Sequence, residues 1–134
     1  MITTSVLYEI LYVSTIAANA PIRVVAEIAV KARSTNQRLG ITGLLVFDGM
    51  HFCQQLEGSE EDVAALMDKI REDSRHTAIH ILHQGRLDKR RFRRFSLGFT
   101  SVEDIELLER LQRLHGQAAV DAFMTLLSSL DLGA

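Results

Sequence analysis

Apolar and polar positions change period several times along the chain, and the changes mark elements. Val6 to Ser14 (VLYEILYVS) alternate closely enough for a strand, with Tyr8, Ile10, Tyr12 and Ser14 on one face. Pro21 suits a first helical turn, where the N–H it lacks would be unsatisfied anyway. Val25, Ile28, Ala29, Ala32, Asn36 and Leu39 follow at helical spacing, and Gly40 can end that helix. Two strands, ITGLLVF and MHFCQQLE, flank Asp48-Gly49, a dipeptide that predicts a two-residue hairpin loop. Ser59, three residues before Asp62, resembles the N-cap of a second helix running through Val63, Leu66, Met67 and Ile70. TAIHILHQ (Thr77 to Gln84) and FSLGFTS read as a fourth and a fifth strand. Two helices finish the chain: one carries Leu107, Leu108, Leu111 and Leu114, the other Val120, Phe123, Leu127 and Leu130.

The order βαββαββ followed by αα predicts an α+β, ferredoxin-like sheet with two helices on one face. The C-terminal helix pair then covers the other face, where Leu11, Val13, Leu44 and Val46 would otherwise be wet. This divides the chain into a core, residues 1–100, and a helical extension packed on the sheet, residues 101–134.

Three polar residues interrupt this pattern. A two-residue loop would pair Phe47 with Met50, Leu45 with Phe52 and Gly43 with Gln54, placing Gln54 on an apolar face beside a glycine. The first and third strands are neighbours in the ferredoxin-like order, so Tyr12 is expected close to Gln54. The first helix brings Asn36 over the same face. A buried amide without partners costs about 1–3 kcal/mol, so the three groups either satisfy one another or take up a ligand. Cys53 alternates with Gln54 and is expected to face the C-terminal helices as a small hydrophobe.

Composition narrows the class. A chain of 134 residues with 47% hydrophobic and 24% charged residues is expected to fold as one globular domain. Its net charge of −2 gives no general attraction to nucleic acid or to an acidic membrane. The single cysteine excludes an intrachain disulfide and fits a reducing compartment. The N-terminus lacks the basic start of a signal peptide, and no apolar run approaches the roughly 18–20 residues of a membrane span, so a cytoplasmic protein is expected.

Several motifs in order resemble the BLUF domains, flavin-binding sensors of blue light. They are LYVS, the stretch NQRLGITGLLVFDGMHFCQQLEG, the DSRH segment and RRFRRFSLGF, which together run from about Leu7 to Phe99. The resemblance implies a flavin held between the two core helices: FAD, with FMN or riboflavin as alternatives. It implies that Tyr12 is the photoactive tyrosine and that Gln54 bridges it to the flavin. Asn36 would hydrogen-bond the pyrimidine edge of the ring, and Lys69 and Asp73 would be polar neighbours. Ile28, Ala32 and Leu45 would form the aliphatic walls. In the family, light is thought to drive an electron from the tyrosine to the flavin, after which the glutamine is left rotated or tautomerised. The expected signal is a small, dark-reversible red shift.

Family members commonly carry a tryptophan and a methionine after RRF, where this chain has Phe95 and Leu97. Those two positions would couple the site to output. No output domain is recognisable after the core. The likeness to short sensors therefore implies action on a separate effector protein or through a homo-oligomer.

Two other classes compete. DKRRFRRF interleaves basic residues and phenylalanines in the manner of a nucleic-acid-binding surface, although a solvated edge explains it more simply. An enzyme is disfavoured. His76, His80 and His83 lack metal-ligand spacing, so no metal is expected, and neither a Ser-His-Asp set nor a phosphate-binding glycine loop is present.

Overall fold

The computed structural model of the protein describes residues 6–21, 23–99, 107–126 and 131–132. Strand β1 (Leu7–Ile16) leads to helix α1 (Arg23–Leu39), whose first turn uses the Pro21 carbonyl to accept from Val24 N at 2.9 Å. Strands β2 (Thr42–Phe47) and β3 (His51–Ser59) form the hairpin. Helix α2 (Glu60–Glu72) starts on the expected cap, Ser59 Oγ accepting from Asp62 N at 3.2 Å. Strands β4 (His76–Arg86) and β5 (Phe95–Phe99) follow, then α3 (Leu107–Leu111) and α4 (Gly116–Leu126).

The strand order is β4-β1-β3-β2-β5-β6. The first four strands are antiparallel, in the ferredoxin-like arrangement, and β5 adds to β2 in parallel. The short strand β6 (Asp131–Leu132) pairs with β5 and has no counterpart in the hydrophobic pattern, because two residues are too few to show alternation.

The hairpin differs from the two-residue expectation. Asp48 to Met50 separate the strands, and pairing begins at Phe47 with Phe52. The cause is the Asp48 carboxylate, whose Oδ1 accepts from Met50 N at 2.9 Å and His51 N at 2.6 Å. Gln54 therefore pairs with Leu45, not with Gly43. The slip is even, so every side chain keeps its expected face. Gly43 serves another purpose: with φ +148° it lies so close to β3 that a Cβ would stand 1.8 Å from the Gln55 carbonyl oxygen.

The two faces of the sheet bury different cores. On one, Leu11, Val13, Leu44, Val46 and Cys53 pack under Leu108, Leu111, Val120 and Phe123. This is the expected cover, and Cys53 is inside it. Leu114 departs from the expected stripe. It lies in the turn after α3 and is 36% exposed. The side chain of Leu107 and residues Leu127 and Leu130 lie outside the described set, as do Thr100 and Ser101 of the expected fifth strand. On the other face, α2 packs Val63 and Met67 on Ile10, Tyr12 and Leu56. Helix α1 packs Val25 on Leu45, Phe47 and Phe52 in a separate cluster.

Candidate functional site

The gap between those two clusters is a cavity of about 400 Å³, a volume typical of small-molecule sites. Strand alternation puts Tyr12, Leu45, Phe52 and Gln54 at its floor, all buried. Helical spacing presents Ile28, Ala32 and Asn36 from α1, and Leu66, Lys69 and Ile70 from α2. Asp73, just past α2, completes the set. All eight residues named from the sequence as flavin neighbours therefore line one cavity.

Tyr12 and Gln54 are direct partners in the β1–β3 register. The Tyr12 hydroxyl donates a hydrogen bond to Gln54 Oε1. Burial pushes the Tyr12 phenol far above its ordinary range, with a smaller contribution from the Asp73 carboxylate. The phenol is therefore a hydrogen-bond donor at any physiological pH.

Asn36 is the anomaly. It is 1% exposed, and neither its Oδ1 nor its Nδ2 has a hydrogen-bond partner. Leaving a buried donor or acceptor unpaired costs about 1–3 kcal/mol. The Tyr12 hydroxyl and Gln54 Oε1 bond each other, but no bond extends from them to Asn36.

Asp73 points elsewhere as well as into the cavity. Its carboxylate accepts from Arg75 Nε at 2.9 and 3.0 Å and from Arg75 N at 3.0 Å. These bonds, the guanidinium first, hold its pKa down to about 2. Asp73 therefore stays ionised and shapes the turn between α2 and β4. Lys69 is exposed at the rim.

Arg75 and His76 line the cavity too, although the sequence reading left them without a role. His76 Nε2 donates to the Ile70 carbonyl at 2.8 Å, and its Nδ1 lies 2.8 Å from Ser14 Oγ. It ties the end of α2 to the strand that carries Tyr12. The DSRH motif was the available signal. The other two strand histidines have different neighbours: His83 faces Glu9 at 3.2 Å, and the His80 ring stands edge-on to His115. Among the described residues no cluster of three ligating side chains could hold a metal.

Phe95 is half-buried and packs against both clusters that border the cavity. Leu97 pairs with Leu45 in the β2–β5 register, and its side chain lies outside the described set. In the DKRRFRRF stretch, Arg90 and Arg91 have internal partners: Arg90 Nη1 donates to Thr42 Oγ1 at 2.8 Å, and Arg91 Nε to Glu9 Oε1 at 3.3 Å. Among the described residues no helix is long and apolar enough to cross a membrane.

The geometry can be set beside known proteins. The blue light- and temperature-regulated antirepressor BluF of Escherichia coli (strain K12) is 35% identical over 104 residues, which are 78% of this chain and 25% of that protein. The chain thus spans about a quarter of that relative. The dark-state structure of BlrB, a BLUF protein, matches with a TM-score of 0.70 and 29% identity, covering 81% of this chain and 83% of BlrB. The ground state of BlsA matches with a TM-score of 0.80 over 96% of this chain and 91% of BlsA, and at 23% identity it speaks for the fold alone. Residues 7–98 match the family of sensors of blue light using FAD. With that match over most of its length, and a ferredoxin-like sheet whose helices frame the cavity, the chain belongs to the BLUF family.

Proposed function

We propose that this chain is a cytoplasmic blue-light sensor that binds FAD between α1 and α2, with FMN or riboflavin as alternative ligands. Asn36 carries the reading. A flavin ring edge presents carbonyl and N–H groups, and a buried amide with both ends unpaired is suited to meet them. Ile28, Ala32 and Leu45 supply apolar walls for the ring faces, and Lys69 and Asp73 supply polar neighbours near the opening.

When bound, the flavin supplies absorption of blue light and an electron acceptor. Tyr12 would give up the electron and pass its proton along the hydrogen bond to Gln54 Oε1, and both would return to Tyr12 once Gln54 has changed. An amide can exchange its donor and acceptor ends while keeping its shape, so Gln54 can leave the event rotated or tautomerised. That change alters the hydrogen bonds offered to the ring. Phe95, in contact with both half-cores, and Leu97, on the strand beside Leu45, pass the change outward. Residues 1–100 act as the sensor, and helices α3 and α4 of the extension (residues 101–134) cover its far face. The signal goes to a separate effector protein or to another copy of the chain. No catalytic reaction on a substrate is assigned.

The test is the absorbance of purified protein before and after blue light. The expected result is a yellow protein with a red shift that reverses in the dark. Tyr12→Phe and Gln54→Leu should each keep bound flavin and lose the shift entirely. Phenylalanine is far harder to oxidise and has no proton to give, and leucine neither donates nor accepts. A normal shift in Tyr12→Phe would overturn the mechanism. A colourless protein that takes up no added flavin would overturn the function.

A further inference from the structure

Gln54 and Gln55 are consecutive in β3, so alternation points their amides to opposite faces of the sheet. Gln54 faces the cavity. Gln55 is fully buried on the α3–α4 side, next in alternation to Cys53. Its Nε2 donates to Glu9 Oε1 at 2.8 Å and to Glu57 Oε2 at 3.4 Å, while its Oε1 has no partner. Turning the amide end for end would set an oxygen against two carboxylates, so its orientation is fixed.

The same two carboxylates hold the loop between β4 and β5. Glu57 accepts from the backbone N–H groups of Arg91, at 3.0 and 3.1 Å, and Phe92, at 3.0 Å. Glu9 accepts from Arg91 Nε at 3.3 Å and faces His83 Nε2 at 3.2 Å. Arg90 Nη1 adds a bond to the Glu57 carbonyl at 2.9 Å. Phe92 packs on the core beneath α3 and α4, and the loop runs on into Phe95 and β5.

Packing alone does not explain an amide at position 55. An apolar side chain of similar size would leave no acceptor unpaired, and Glu9 and Glu57 would keep their other donors. Connection does explain it. Gln55 is one peptide bond from Gln54 and touches both carboxylates that fasten the loop.

We propose that Gln55 is a positioning residue that carries a change at Gln54 to the β4–β5 loop through Glu9 and Glu57. The inference rests on the light-sensing reading above. Reorientation of Gln54 shifts β3 locally, and that shift redistributes the Gln55 N–H groups between a near carboxylate and a far one. The Glu57 bonds to Arg91 and Phe92 then change strength, and Phe92 passes the change to the helices above it. Glu9, Gln55 and the basic loop thereby acquire a role that flavin binding does not require of them.

The experiment is amide hydrogen exchange on the full chain with flavin bound, in the dark and under blue light, read at Arg91 and Phe92. In the unmodified protein their exchange rates should change on illumination by about threefold or more, since exchange reports local opening. Gln55→Leu should keep the flavin red shift and lose that change. Gln55→Asn retains the amide but is too short to span both carboxylates, and it should lose the change as well. An unmodified protein that shows the red shift with unaltered exchange at both amides overturns the inference. So does a folded variant of either kind with the full change. Absence of the red shift in the unmodified protein overturns the light-sensing reading itself, so the two failures are distinguishable.

Discussion

The two faces of the sheet are built from alternate residues of the same strands, yet they are finished differently. On the α3–α4 side the apolar residues form one continuous cluster, the polar Glu57 among them is fully provided with donors, and Gln55 keeps one unpaired oxygen. On the α1–α2 side the apolar residues fall into two clusters, and the polar Asn36 between them has no partner at all. Strand β3 shows the contrast residue by residue. Phe52, Gln54 and Leu56 serve the incomplete face, Cys53, Gln55 and Glu57 the closed one. Protein interiors are packed as densely as organic crystals, so a gap left between two good clusters is informative. One face is closed by its own side chains, and the other frames the cavity.

If that division is right, a large cut on the closed face should damage stability most. Phe123 is 1% exposed at the centre of its cluster, and Phe123→Ala should cost about 3–5 kcal/mol. Urea unfolding of the flavin-free protein measures this. A loss below about 1 kcal/mol would mean that α4 is a loose cover and not a core layer.

Asn36→Ala should do the reverse. It removes two unpaired polar atoms, so the flavin-free protein should keep its stability. Flavin affinity should fall by about 1–3 kcal/mol, roughly 5- to 150-fold, because the ring edge loses an amide partner. Fluorescence titration and the flavin-to-protein ratio after purification report it. Unchanged affinity would remove Asn36 from the site.

Cys53→Ala sharpens the contrast at a single strand position beside Gln54. It should lower stability by about 1 kcal/mol, the scale of one small buried group, and leave the red shift intact. Loss of the shift would point to thiol chemistry in place of the Tyr12–Gln54 pair.

The smallest expected effect is on the alkaline side. Burial raises both the Tyr12 phenol and the Cys53 thiol above their ordinary values of 10.0 and 9.0. Each group then stays protonated in the folded chain while the unfolded chain ionises. Their contribution to stability is present in full below about pH 9 and declines as pH rises past it. Unfolding midpoints from pH 8 upward should show a steady decline, and Cys53→Ala should delay its onset. Stability that rises over that range would contradict the burial of both groups.

Much of this was legible in the hydrophobic pattern. The order of elements, the faces of β1 and β3 and the cover over Leu11, Val13, Leu44 and Val46 all follow from periodicity, because burying an apolar face leaves few arrangements open. Tyr12 and Gln54 could be placed together by the ferredoxin-like strand order. The hairpin register was less legible. Asp48-Gly49 signals a tight turn, but the Asp48 carboxylate can also cap a longer loop, and only the fold selects between them. The role of His76 was also hidden, since it acts through Ser14, distant in the sequence, and through the Ile70 carbonyl.

The sequence by itself determined the fold class, the family and the side chains suited to the site. Periodicity and motif are local properties of a chain, and they survive without knowledge of distance. The tertiary structure decided which polar groups satisfy one another. Tyr12 finds Gln54, Gln55 finds Glu9 and Glu57, and Asn36 finds no partner. Pairing across strands and helices depends on register and approach within a few tenths of an ångström, because a hydrogen bond is lost over that range. No spacing along the chain encodes it.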